Sequence, residues 1–255
     1  MQTQQAQPFI PELETSVLPW VVLIPGTLCD SRIFARQARA LRGKARVLRL
    51  DYKRLSRRAD WCQHLLKKLP ESFAIAGFSL GGLWALELLR TAPERITGLA
   101  LIASNAEAAS SAGRKKTRHL WQLWRKPVGG GPLEVAKHVK PGYFHHPAQR
   151  RLYAALVQAM ALATPAAAAR AEFAWAASRP DGKAALAQFT KPLLIVSGAN
   201  DLLCPRSLQQ AMQTAQPNSR WLEIPRCGHF VPLEAPATLN AALQSWVRTL
   251  TTTAG

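Results

Sequence analysis

The sequence predicts an α/β architecture: a mostly parallel sheet of six or seven strands, flanked by helices and interrupted by a helical insertion. Three observations carry this. Short runs rich in Val, Ile and Leu recur along the chain and end at glycine or turn residues. Helical patterns lie between most of them. The alternation then stops between Ser104 and Lys191, a gap of more than 80 residues, and afterwards resumes. Continuous apolar runs of strand length suit strands covered on both faces of a parallel sheet. Their alternation with helices implies βαβ crossovers.

The elements follow in order. Trp20 to Ile24 is the first strand and leads into Pro25-Gly26. Ser31 reads as the cap of a helix from Arg32 to Leu41. Arg46 to Leu50 is the second strand. Trp61 to Leu69 places Trp61, Leu65, Leu66 and Leu69 on one helical face. Phe73 to Ala76 runs into Gly77, and a helix from Leu80 to Arg90 follows. Gly98 to Ile102 is the fourth strand. The gap holds the run Arg114-Lys115-Lys116, the loop Gly129-Gly130-Gly131-Pro132, and Ala-rich helical segments over Ala148–Ala163 and Pro165–Ala177. One crossover cannot fill it, so residues 107–190 form a mainly helical cap or lid over a core made of residues 1–106 and 191–255. Pro192 to Val196 and Trp221 to Ile224 complete the strands, with helices at Ser207–Ala215 and Ala235–Leu250. Ahead of Trp20 there is room for one short strand, over Phe9 to Val17.

Composition narrows the function. The chain has 255 residues, with 33 Lys+Arg against 15 Asp+Glu and a net charge of +18. Hydrophobic residues make up 48%, enough for a sizeable core, which excludes a basic disordered protein. No stretch approaches the ~20 apolar residues of a membrane span, and the polar start lacks a secretory pattern. A cytoplasmic, reduced protein is expected. Cys29, Cys62, Cys204 and Cys227 are too sparse for a disulfide scaffold, and none forms a Cys-x-x-Cys metal or redox pair. The charge is uneven: Arg32 to Lys68 carries an excess of +11 and Glu107 to Lys183 an excess of +9. No nucleic-acid-binding motif accompanies either stretch, so no specific nucleic-acid partner is expected. A solvated basic surface is the plain reading, and attraction of an acidic substrate or carrier the sharper one.

The chemistry centres on Gly77-Phe78-Ser79-Leu80-Gly81, a G-x-S-x-G sequence between a strand and a helix. A sharp strand-to-helix turn projects the Ser79 hydroxyl beyond the sheet. Glycines on either side keep neighbouring backbone from clashing, and the Leu80 amide opens the helix toward developing negative charge. A serine hydroxyl needs a base at neutral pH. Of the six histidines, His64 falls in a basic helix, and His119, His138, His145 and His146 fall in the insertion. His229 alone sits in a loop after a core strand, where α/β sites form. Asp201 lies in the loop after the preceding strand, giving the order Ser79, Asp201, His229. Asp30 and Asp51 compete for the carboxylate role but do not fall between nucleophile and base. An oxyanion needs a second donor from Pro25-Gly26-Thr27-Leu28, where the Thr27 amide is favoured and Leu28 is the neighbouring choice. Leu28, Phe78, Trp121, Trp124, Phe144 and Trp175 are candidates to line a substrate pocket, with ordinary packing the alternative for the insertion aromatics.

At these residues the sequence resembles the α/β-hydrolase superfamily, in particular the small serine carboxylesterases that include pimeloyl-[acyl-carrier protein] methyl ester esterase. The resemblance runs from about Trp20 to Leu250. It is strongest at Pro25–Asp30, Gly77–Gly82, the Asp201 loop and Cys227-Gly228-His229. Many relatives carry His-Gly where this chain has Pro25-Gly26. The resemblance implies hydrolysis of small or medium acyl esters through an acyl-enzyme, with no metal and no organic cofactor. The partners it implies are a small-molecule ester and, given the basic insertion, an acidic acyl carrier protein, with no membrane. Lactonase, thioesterase, perhydrolase and hydroxynitrile lyase activities share the fold, and a non-catalytic basic binding module is the reading from another class.

Overall fold

In the computed structural model, which describes residues 18–51, 58–139 and 143–251, strand and helix alternate as the apolar pattern dictates. β1 (Trp20–Ile24) leads through a 3₁₀ turn (Ser31–Phe34) to α1 (Ala35–Ala40), and β2 (Arg46–Arg49) leads to α2 (Arg58–Leu66). β3 (Phe73–Phe78) turns directly into α3 (Leu80–Thr91). β4 (Ile96–Ile102) precedes α4 (Ser111–Arg125), α5 (Pro132–Val139), α6 (Pro147–Leu162), α7 (Ala166–Ser178) and α8 (Lys183–Ala187). β5 (Leu193–Gly198), α9 (Arg206–Ala215), β6 (Arg220–Ile224), α10 (Val231–Glu234) and α11 (Pro236–Thr251) close the chain.

The six strands form one parallel sheet in the order β2-β1-β3-β4-β5-β6. The chain therefore leaves β1 in one direction and continues from β3 in the other. The crevice beyond the carboxyl ends of β1 and β3 is a topological switch point, where open α/β sheets place their ligands. Every residue of β3 and β5 is buried, which explains why these strands read as unbroken apolar runs. On one face, Ile33, Phe34, Leu243 and Trp246 pack against Val21, Ala74, Ala100 and Leu194. On the other, Trp84, Leu88 and Met212 pack against Val22, Ile75, Leu99 and Ile195.

Two local features differ from the sequence reading. The first helical turn is 3₁₀ and is capped by Asp30 rather than Ser31. Its carboxylate accepts from the Arg32 amide at 3.0 Å and also receives the Arg32 guanidinium, at 2.9 and 2.7 Å. A charged acceptor outcompetes a hydroxyl for the same amide. The closing helix begins at Pro236, one residue later than expected, because Pro236 pushes Ala235 out of the helical region, and a short helix, α10, precedes it. The strand expected over Phe9 to Val17 lies outside the described residues.

Helices α4 to α7 enclose a third apolar cluster, in which Val135, Ala161, Ala169 and Phe173 surround Leu28 from the loop after β1. The insertion is thus anchored on the loop that borders the switch point. Among the described residues no single helix is long and apolar enough to cross a membrane; α6 and α7 pass that test only as a pair bent by 103°.

Candidate active site

Ser79 stands at the junction of β3 and α3 with φ 53° and ψ −116°, a left-handed setting rare for a residue with a side chain. The turn is held from three sides. The Ser79 amide donates to Ile102 O (2.9 Å), the Gly82 amide donates to Ser79 O (2.9 Å), and Ser104 Oγ donates to Ser79 O (2.8 Å). Glycine is required beside it for space. A Cβ at Gly81 would lie 2.0 Å from Ile24 O, and one at Gly77 would lie 2.4 Å from Gly81 O. A serine at a helix N-cap usually binds the amides of the first turn. Ser79 makes no such bond. Its hydroxyl bonds His229 Nε2 instead, at 2.9 Å.

His229 lies in the loop between β6 and α10, with 3% of its surface exposed. Its Nδ1 meets Asp201 Oδ2 at 2.8 Å. The other Asp201 oxygen accepts from the Leu203 and Cys204 amides at 2.8 and 2.9 Å. Burial acts to raise the Asp201 carboxyl, but His229 and the two amides outweigh it and hold the group below its ordinary range. Asp30, the rival carboxylate, is engaged by Arg32, and Asp51 is exposed. The His229 loop is fixed by partners that the sequence reading missed. The His229 amide donates to Tyr143 O at 2.7 Å. Glu234 accepts from the Gly228 and His145 amides at 3.1 and 2.8 Å. Burial raises the Glu234 carboxyl despite those amides. No local signal marks either Glu234, the last residue of α10, or Tyr143 for these roles.

The loop after β1 turns tightly, with the Cys29 amide donating to Gly26 O at 3.0 Å. Leu28 takes φ 51° there. Its amide donates to Glu172 Oε2 of α7 at 2.7 Å. Of the two donors weighed for this loop, Leu28 is therefore engaged by a side chain. Thr27 faces the cavity beside Ser79 and Leu80.

With this geometry in view, the comparisons decide the family. The model of the alpha/beta hydrolase family matches residues 21–242. The chain belongs to the α/β hydrolase family. A RutD-type protein of Klebsiella pneumoniae, provisionally named as a carbamate hydrolase, is 31% identical over 68% of this chain and 64% of its own length. The chain thus spans just under two thirds of that relative. Pimeloyl-[acyl-carrier protein] methyl ester esterase of Aromatoleum aromaticum is 26% identical over 74% of this chain and 79% of its own. Among solved structures, a thermophilic esterase of Thermogutta terrifontis superposes with a TM-score of 0.79 at 24% identity, covering 91% and 90% of the two chains. The enol-lactonase of Burkholderia xenovorans LB400 gives 0.75 at 21% identity, covering 91% and 92%. At these identities the structural likeness speaks for the fold.

In this α/β hydrolase the paired Ser79 and His229 open on a cavity of about 370 Å³, within the usual range for small-molecule sites. Leu28 and Phe78 line it, as the sequence reading expects. The four insertion aromatics do not. Trp121 packs tilted and Trp124 edge-on against Phe173, at 6.3 and 6.4 Å between ring centres. Phe144 stacks on Phe230 at 4.7 Å, and Trp175 stacks on Trp84 of α3 at 4.8 Å. Only Trp175 is fully buried; Trp121, Trp124 and Phe144 are half-buried and spend their apolar faces on other rings. The insertion instead lines the cavity with Leu120, Val135, Tyr143 and Phe173, together with the cations Lys116 and Arg179.

Asp201, Cys204 and His229 bring ligand-type atoms within 4.8 Å of one another. Their chemistry does not suit a metal. The Asp201 oxygens already serve His229 and two amides, and burial raises the Cys204 thiol far above its ordinary range, which keeps it protonated. Burial likewise pushes the Cys227 thiol up to about 12.

Proposed function

We propose that this protein is a serine carboxylesterase acting on esters of small or medium acyl groups through an acyl-enzyme. One observation carries the reading: the unbroken hydrogen-bond chain from Asp201 through His229 to a Ser79 hydroxyl strained into the open cavity. As Ser79 Oγ attacks the ester carbonyl, its proton passes to His229 Nε2. Asp201 holds the Nδ1–H and stabilises the imidazolium. The carbonyl electrons move to oxygen, which the amides of Leu80 and Thr27 receive, each worth about 3 kcal/mol in the transition state. Collapse expels the alkoxide, which takes the proton from His229. Water then gives a proton to His229 and attacks the acyl-enzyme; Ser79 Oγ leaves, takes that proton back from His229, and the acid is released. The insertion acts as a cap that shapes the acyl pocket.

The test is a series of p-nitrophenyl esters of rising chain length, assayed with wild type and Ser79→Ala. Turnover by the wild type, reduced about 10⁴-fold or more in the variant, is the expected result. Activity surviving in Ser79→Ala overturns the reading.

A second reading is favoured by charge. The exposed face of α4 carries Arg114, Lys115, Lys116 and Arg118 beside the cavity that Lys116 helps to line. An acidic acyl carrier presenting a methyl ester suits that surface, in keeping with the name of the Aromatoleum relative. A reducing, cytoplasmic setting fits four buried thiols.

A further inference from the structure

We propose that Glu172, on α7 of the insertion, is a positioning residue for the oxyanion loop: through the Leu28 amide it fixes the Gly26–Cys29 turn that presents the Thr27 amide. The inference rests on the esterase reading above and adds to it a residue outside the catalytic loops.

The argument begins with the turn. The hydrogen bond from the Cys29 amide to Gly26 O makes Gly26 to Cys29 a β-turn, with Thr27 and Leu28 at its centre. Leu28 has φ 51°, and Thr27 is not among the residues with positive φ. A left-handed third residue after an ordinary second one marks a type II turn. Glycine or asparagine usually fills that place, because a Cβ is strained there. Leucine has no such licence. Left to local preference, this turn relaxes to type I, in which the central peptide is rotated by about half a turn. The central peptide carries the Leu28 N–H, and that N–H donates to Glu172 Oε2 at 2.7 Å. Glu172 therefore supplies from 144 residues away the preference that the local sequence lacks.

Burial gives the bond its weight. Glu172 has no exposed surface. It lies between Phe173 and the buried alanines of α7, among apolar side chains that also cover Leu28. A hydrogen bond in such surroundings is strong, and its loss leaves a buried amide without an acceptor. The helix that carries Glu172 is itself tied to the nucleophile. Trp175, one turn further along α7, stacks on Trp84 of α3, and α3 begins at Leu80. One helix thus references both sides of the oxyanion site: the Leu80 amide through the ring stack, and the turn that presents the Thr27 amide through the bond from Leu28 to Glu172.

The experiment compares Glu172→Ala, Glu172→Gln and Glu172→Ala combined with Leu28→Gly, using the best p-nitrophenyl ester and a boronic acid analogue of its acyl group. Removing an oxyanion donor costs about 10²–10³ in kcat, so loosening the turn that presents the Thr27 donor in Glu172→Ala is expected to cost about 10–100-fold in kcat with KM changed less than about threefold. Boronate affinity should fall with kcat, while affinity for the product acid should hold. Glu172→Gln keeps an acceptor oxygen and should keep most of kcat. Leu28→Gly accepts positive φ without strain, so it should restore part of the activity lost in Glu172→Ala. Glu172→Ala with wild-type kcat overturns the proposal, as does Leu28→Gly failing to rescue a folded Glu172→Ala enzyme. If Glu172→Ala does not fold, Glu172→Gln decides: a kcat loss as large as that expected of a loosened turn overturns it. A wild type that hydrolyses no ester and is not labelled by a fluorophosphonate would instead remove the esterase reading beneath it.

Discussion

Ser79 concentrates the cost of this site in one residue. Its backbone sits at φ 53°, a setting that costs about 1–3 kcal/mol and persists only where the surroundings over-determine it. Ile102, Ser104 and the close approach of Gly81 to Ile24 do so here. Asp201 shows the reverse balance, since its partners outweigh its burial and lower its pKa below the ordinary 3.8. The native carboxylate binds protons less readily than the unfolded one. Its contribution to stability is therefore fully present above the unfolded value and is lost as pH falls through the folded one. Asp201→Asn removes that contribution. Urea titrations are expected to show wild type more stable than Asp201→Asn near neutrality, with the gap closing below about pH 4. A gap that stays constant to pH 2 would mean that the Asp201 carboxylate is not what His229 and the two amides stabilise. At this scale the sequence was legible wherever a residue is adjacent to a strand end. Ser79, Asp201 and His229 each follow a strand that periodicity reveals. Glu172 and Glu234 were not legible, because nothing local marks a glutamate as the acceptor for a distant amide.

Among the elements, α7 resolves an alternative that the sequence leaves open. Its Trp175 reads there either as a pocket wall or as ordinary packing. In the structure Trp175 is buried against Trp84, and Phe173 takes the cavity wall instead. Two adjacent turns of one helix present different faces, and only the docking angle of α7 on α3 decides which ring meets the cavity. Trp175→Ala is expected to destabilise the fold by about 3–5 kcal/mol and to lower Tm by roughly 10 °C in calorimetry. A drop of less than about 2 °C would show that the Trp175–Trp84 stack does not hold the insertion to the core. The strand elements behaved otherwise. β3 and β5 are buried at every residue, so their runs need no phase to be recognised, and their boundaries moved by only one or two residues.

At the scale of the whole molecule, the charge of +18 lies largely outside the catalytic loops. Arg32 closes on Asp30, and Arg46 lies over Trp20 at 5.5 Å, so part of the early excess packs against its own surface. The α4 cations remain exposed beside the cavity. If they attract an acidic carrier, salt will screen the attraction, since the Debye length is about 10 Å at 0.1 M and shrinks above it. KM for a carrier-linked methyl ester is expected to rise about tenfold or more between 0.05 and 0.5 M NaCl, with KM for a small neutral ester changing less than about twofold. Equal salt responses would leave the basic surface without a role in substrate capture.

The sequence by itself determined the α/β class, the parallel sheet and the order of serine, carboxylate and histidine. Each of these is written locally, in the period of apolar residues and in the turn residues that end a strand. Tertiary structure alone decided that Asp30 and not Ser31 caps the first turn, that Trp121, Trp124, Phe144 and Trp175 pack away from the cavity, and that Glu172 holds Leu28. Those outcomes depend on where two surfaces far apart in the chain meet. Burial then makes each contact count, because a polar group withdrawn from water must find its partner within the fold.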